Sequence, residues 1–141
     1  MSTGTCGCSE NIRFAAIRGI NEGADDIRDG IFDIRVGRNS IESGFVTCGT
    51  KRCCEGLADC REGAANIAAG LKVLRPELSC GERSDACEGL RDIQSGICKA
   101  DKGVACARQG NTSTGNCAIE AGLCAIWDGF AACLSALSNT I

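Results

Sequence analysis

Residues 23–37 read Gly23-Ala-Asp-Asp-Ile-Arg-Asp-Gly30-Ile-Phe-Asp-Ile-Arg-Val-Gly37. Glycine returns at every seventh position, and Ile27, Ile31 and Ile34 return at the three- and four-residue spacing of one helix face. The step continues to Gly44. It restarts in three further runs: Gly49, Gly56, Gly63 and Gly70; Gly89, Gly96, Gly103 and Gly110; Gly115, Gly122 and Gly129. Fifteen of the nineteen glycines fall in these runs. A large apolar residue often follows the glycine (Ile31, Leu57, Leu90, Leu123, Phe130), and an apolar residue or cysteine stands three further on (Ile34, Cys60, Ile93, Cys133). The repeat is a heptad with apolar a and d positions and glycine at g. Strand periodicity fits nowhere over a comparable length.

The phase breaks divide the chain into four expected helices, at about 10–46, 50–74, 81–109 and 116–138. Thr47-Cys48-Gly49-Thr50 reads as a turn, and Arg75-Pro76-Glu77 ends the second helix because proline lacks an N–H and restricts its predecessor. Ser79-x-x-Glu82 has the pattern of a capping box, and Gly110-Asn111 that of a helix C-cap and loop. Short connections make neighbours antiparallel. The expected fold is therefore all-α, an antiparallel up-down four-helix bundle over residues 10–141, preceded by a flexible cysteine-containing arm over residues 1–9.

Interior helix glycine costs about 1 kcal/mol relative to alanine, so a dozen of them would forfeit roughly a whole domain's net stability. Close approach of a neighbouring backbone, with its added dispersion contacts, is the expected offset. The neighbour is either another helix of this chain or a second subunit. The fourth helix is polar almost nowhere: its b and c positions are Cys117, Cys124, Ala131, Ala118, Ala125 and Ala132. That composition predicts a subunit interface along it, through Trp127, Phe130, Leu134, Cys117 and Cys124, unless this helix sits centrally in an unequal bundle. The first helix alternates charge, as a solvated face does. Arg38, at an a position, is expected to snorkel or to make a polar contact.

Composition removes several functions. There is no histidine, so Ser-His-Asp and Cys-His catalysis, Cys2His2 zinc and imidazole-ligated haem are excluded. A net charge of −3 offers no footprint for nucleic acid. Walker, dinucleotide and Gly-x-Ser-x-Gly motifs are missing, and no enzyme activity is expected. The N-terminus has neither a basic nor an apolar signal region, and Glu120 and Asp128 interrupt the most apolar stretch, so a chain made in the cytoplasm without a membrane span is expected.

Thirteen cysteines in such a chain point to metal binding or to oxidation after synthesis. The number is odd, so complete oxidation would require at least one bond to another chain. Cys6 and Cys8 lie in the arm. Cys48, Cys53, Cys60 and Cys133 fall at or near d, where a thiol packs as a small hydrophobe. Cys80 and Cys87 flank the seam, and Cys98, Cys106, Cys117 and Cys124 project away from it. Cross-linking is accordingly assigned to Cys6, Cys8, Cys80, Cys87, Cys98, Cys106, Cys117 and Cys124.

Cysteine-rich helices in a four-helix bundle resemble the bacterial copper-storage proteins in architecture. That family's Cys-x-x-x-Cys pairs have no counterpart here, since no two cysteines are four apart. The leading expectation is a structural protein that self-assembles as a homo-oligomer or polymer, docks through helices and is locked by intermolecular disulfides. Spore coats or appendages would supply the oxidising setting. A Cu(I)-thiolate store is the alternative; otherwise no cofactor is expected.

Overall fold

The computed structural model describes the backbone of residues 3–141 and the side chains of residues 10–141. Among them are four α-helices and no strand: α1 (Thr3–Glu42), α2 (Val46–Leu74), α3 (Cys80–Arg108) and α4 (Thr112–Leu137), with one 3-10 turn at Arg75–Glu77. The fold is an all-α helical bundle. α1 packs chiefly on α2 and α3 on α4, and the α2–α3 and α1–α4 seams are sparser. The molecule is thus two tight helical hairpins laid side by side.

Glycine register defines each hairpin. A Cβ built on Gly30 would lie 2.5 Å from the carbonyl oxygen of Gly56, and one built on Gly56 would lie 2.5 Å from the oxygen of Gly30. Gly37 and Gly49 face each other in the same way, as do Gly23 and Gly63. In the second hairpin the facing pairs are Gly89–Gly129, Gly96–Gly122 and Gly103–Gly115. Partner numbers fall as the others rise, so both hairpins are antiparallel. The backbones meet because no side chain separates them. The expected close approach is therefore found, and the neighbour is another helix of the same chain. Gly19 and Gly81, which stand outside the heptad runs, have no such neighbour: a Cβ on Gly19 would meet nothing within 4 Å.

The two hairpins repeat each other at a shift of 66 residues, which pairs Gly23 with Gly89, Gly30 with Gly96, Gly37 with Gly103 and Gly49 with Gly115. Their turns also coincide. Gly44 and Gly110 adopt φ of 97° and 98°. Phe45 N–H donates to Ser40 O at 2.8 Å and Gly44 N–H to Ile41 O at 3.0 Å. Asn111 N–H donates to Cys106 O at 3.0 Å and Gly110 N–H to Ala107 O at 3.1 Å. Both are Schellman ends, in which only glycine enters the left-handed region without penalty. The next residue (Phe45 or Asn111) is already the N-cap of the following helix.

These abrupt reversals correct the expected boundaries. Thr47-Cys48-Gly49-Thr50 is not a turn but the first turn of α2, and Thr112–Thr114 is helical too. α1 starts at Thr3 rather than near residue 10, taking into helix most of the backbone read as an arm. Ser79 forms the expected capping box: Glu82 N–H donates to its Oγ at 3.1 Å, and Ser79 N–H donates to Glu82 Oε1 at 2.8 Å.

Isoleucine fills much of the core. Ile20, Ile27, Ile34, Ile41, Ile67, Ile93, Ile119 and Ile126 are fully or almost fully buried, with Leu57, Leu74, Leu137 and Phe130. The branched side chain of Ile34 lies against Gly56, that of Ile27 against Gly63, and that of Ile126 against Gly96. Each glycine is thus a socket for a knob on the facing helix.

Candidate functional site

Thiols divide by depth. Cys53, Cys60 and Cys133 are buried in the glycine seams, the Sγ of Cys60 facing Gly30, that of Cys53 facing Gly37 and that of Cys133 facing Gly89. Each thiol points at a carbonyl of the opposite helix, the closest being Cys133 Sγ to Ala86 O at 3.3 Å. The repeat equivalents of Cys53 and Cys60 are Ile119 and Ile126, and that of Cys133 is Ile67. Sulfur and isoleucine are interchangeable knobs here. Burial pushes the Cys60 and Cys133 thiols up to about 12, and burial followed by neighbouring Cys54 pushes Cys53 up to about 11. These three are packing groups, held as neutral thiols.

The remaining described cysteines reach the surface. Cys48, Cys80, Cys87, Cys98, Cys117 and Cys124 are exposed, and Cys54 and Cys106 are half-buried. Cys48, expected near a core position, is exposed because the heptad restarts at Gly49, which places Cys48 on the outward side of α2 while Gly49 and Thr50 turn inward. No described cysteine is paired within the chain. Nor do three Cys, Asp or Glu side chains converge as a metal-holding group among the described residues. The side chains of Cys6 and Cys8 lie outside the described residues.

Five of the eight surface thiols lie beside the two seams between hairpins. Cys54, Cys80 and Cys87 line the α2–α3 side, where Arg108 Nη2 donates to Cys54 Sγ at 3.4 Å and Arg83 Nη2 to Cys80 Sγ at 3.2 Å. Arg61 pairs with Asp101 across that seam. Cys117 lies on the α1–α4 side, in a cleft it shares with Arg38 and Glu42, and Cys124 follows two turns along the same face. Arg38 does more than snorkel. Its Nε is 2.8 Å from Glu120 of α4, and its Nη1 is 3.2 Å from Glu42, so one cation holds two carboxylates at the seam.

No known family model, curated protein or solved structure matches the chain.

Of the residues expected at an interface on α4, the structure keeps Trp127 (51% exposed), Cys117 and Cys124 on the surface and leaves Leu134 half-buried. Phe130 is withdrawn from that set. It is 2% exposed, beneath the Trp127 ring (centroids 6.2 Å apart) and the Arg28 guanidinium (5.3 Å from its centroid). It occupies the a position of its heptad, which this bundle turns inward between hairpins. α4 is no more central than its neighbours: one side is packed, and an outer face of alanines and cysteines is open. By length and composition alone it is the one described helix long and apolar enough to cross a membrane. Sequence reading sets Cys54 apart from Cys53, as a vicinal pair pointing to different sides of one helix, but does not assign it to cross-linking. Its signal lay in the 66-residue shift, which sets it opposite Glu120 in the other hairpin, on a seam between hairpins.

Proposed function

We propose that this chain is a structural building block: a stiff helical bundle that associates with copies of itself and is then locked by disulfides between molecules. The observation that carries the reading is the placement of surface thiols beside two different seams of one bundle, with no partner among the described cysteines. A unit with linkable groups on two sides gives chains or sheets rather than closed pairs. The glycine seams support the same role. Backbone-to-backbone contact along both hairpins leaves little room for the helices to slide, so the thiols keep fixed spacings. Trp127, Cys117 and Cys124 are exposed along α4, open to the approach of a second helix. Synthesis in a reducing cytoplasm followed by exposure to oxidant, as on a spore surface, fits a cysteine-rich chain of this kind.

Electrophoresis after mild oxidation tests the proposal. Without reductant a ladder of multiples of the 14.6 kDa chain is expected, collapsing to one band on reduction. Cys117→Ser with Cys124→Ser shortens the ladder, and Cys60→Ala leaves its length unchanged. A single monomer band in both lanes, with every surface thiol still open to alkylation, overturns it.

A further inference from the structure

The repeat supplies an internal control for its own seams. Between α2 and α3 lies an open groove of about 290 Å³, floored by Ala68, Leu71 and Leu90, with Cys87 on its wall. Lys72, Arg75 and Arg83 complete its lining. None of the three has a carboxylate partner among the described residues. The acids closest in sequence are engaged elsewhere, Glu77 with Arg13 and Glu82 with the backbone of Ser79. Three cations thus stand beside one apolar floor with no carboxylate among the described residues to neutralise them.

The equivalent positions on the α1–α4 seam, 66 residues away, are built differently. Leu134 stands for Ala68, Ile17 for Arg83, Ile141 for Arg75 and Ser138 for Lys72. Leu134 and Ile17 pack against the core there, as Leu90 does here in place of Ala24, so each seam holds a leucine and an alanine at exchanged positions. A groove needed only to join hairpins would be served by the same aliphatic filling. What differs is the rim, where Arg83 and Arg75 stand in place of the aliphatic Ile17 and Ile141.

We infer that the α2–α3 groove is a binding site for a small amphipathic anion, a carboxylate head on a short unbranched apolar chain. The guanidinium forks of Arg75 and Arg83 suit a carboxylate, with Lys72 adding charge, and Leu71, Leu90 and Ala68 accept the chain. Each pair of methylenes laid on that floor tightens binding by up to about tenfold, until the groove is full. This site is independent of the assembly proposal, since it needs neither a second copy nor an oxidised thiol.

Cys87 is a built-in reporter. The reduced full-length protein is treated with neutral iodoacetamide in the presence of octanoate, and alkylation is followed residue by residue by mass spectrometry, with Cys124 as reference. Octanoate is expected to slow Cys87 about fivefold or more at saturation and to leave Cys124 unchanged. Acetate and octylammonium have no such effect. Ala68→Leu, which fills the floor beside Leu90, abolishes protection, and Lys72→Gln with Arg75→Gln, both exposed, weakens it at least about tenfold. Protection by octylammonium equal to that by octanoate, no protection of Cys87 at millimolar octanoate, or unaltered protection in either variant would each overturn the assignment.

Discussion

Substituting alanine for Gly30 sets two well-known effects against each other. Helix propensity alone favours the change by about 1 kcal/mol, because glycine is among the poorest interior helix formers. Packing opposes it. The new Cβ would fall 2.5 Å from Gly56 O, 2.6 Å from Cys60 Sγ and 3.1 Å from Cys60 N. Two of those atoms are backbone and cannot turn aside, so α1 and α2 must separate and loosen neighbouring sockets. Overpacking of this kind costs about 1–3 kcal/mol, and a contact against rigid backbone belongs at the upper end. The net expectation is a loss of roughly 1–2 kcal/mol, or about 3–8 °C in melting temperature for a chain of this size. Gly19→Ala is the matched control, because its Cβ meets nothing within 4 Å and only propensity acts. It should raise the midpoint by about 2–4 °C. Circular dichroism melts under reducing conditions read both. Adding Cys60→Ala to Gly30→Ala removes the sulfur but not the carbonyl, so it restores only part of the loss. A Gly30→Ala protein as stable as the parent, beside a stabilised Gly19→Ala, would refute the close-contact reasoning.

Three further outcomes follow from the same geometry. Raised thiol pKa values make the fold sensitive to alkali: the unfolded chain releases these protons near pH 9 while the folded one holds them to about 11 or 12. Stability should therefore fall as pH rises above 9, by about 1 kcal/mol per buried thiol at pH 10. Urea midpoints at pH 8 and 10 measure it, and Cys60→Ala should remove its share; the absence of tyrosine leaves the alkaline limb simpler to read. Gly44→Ala and Gly110→Ala each place a side chain at φ near +97°, and each should cost about 1–2 kcal/mol in the same melts. Arg38→Met leaves Glu42 and Glu120 facing each other without their shared cation, at a cost of up to about 1 kcal/mol that shrinks in 1 M salt because the carboxylates are half exposed.

The bundle was legible because its constraint is periodic. Thirteen heptad glycines sit in interhelical contact, and the other two, Gly44 and Gly110, end helices at the positive φ that only their residue type accepts readily. A seven-residue step carries both facts, although it does not say which helix a glycine meets. Helix boundaries were less legible. Thr47, Thr112 and Ser113 have the composition of loop residues, yet a Schellman turn reverses the chain within three residues and hands them to the next helix. Phe130 was misread for a related reason. α4 is apolar on almost every side, so its sequence could not separate the inward a position of Phe130 from the outward e position of Trp127. Only the partner helix makes that choice.

The 66-residue shift shows which positions carry the fold and which were free to diverge. Seven of the eight heptad glycines of the first hairpin recur in the second, as does Ile27 in Ile93, because each belongs to a socket whose shape is fixed by a backbone on the other side, and the buried a positions Ile31 with Ile97 and Leu57 with Leu123 recur between the hairpins. Exchange of Ile67 for Cys133, or of Cys53 for Ile119, stays within what such a socket accepts. Between hairpins the constraint relaxes. There the backbones stand apart, side chains alone fill the space, and the two seams have taken different solutions: Arg61 with Asp101 on one, Arg38 with Glu42 and Glu120 on the other. Surface thiols follow part of the same division, since Cys54 and Cys87 lie beside one seam between hairpins and Cys117 beside the other. Glycine contacts therefore make the rod, and whatever distinguishes one side of it from the other was added where the helices are farther apart. A variant with the two hairpins exchanged in order should accordingly keep the tight pairs, because each closes within its own 66 residues. The α2–α3 groove should then change its protection of Cys87, because the Arg75–Leu78 connection that borders it would be broken.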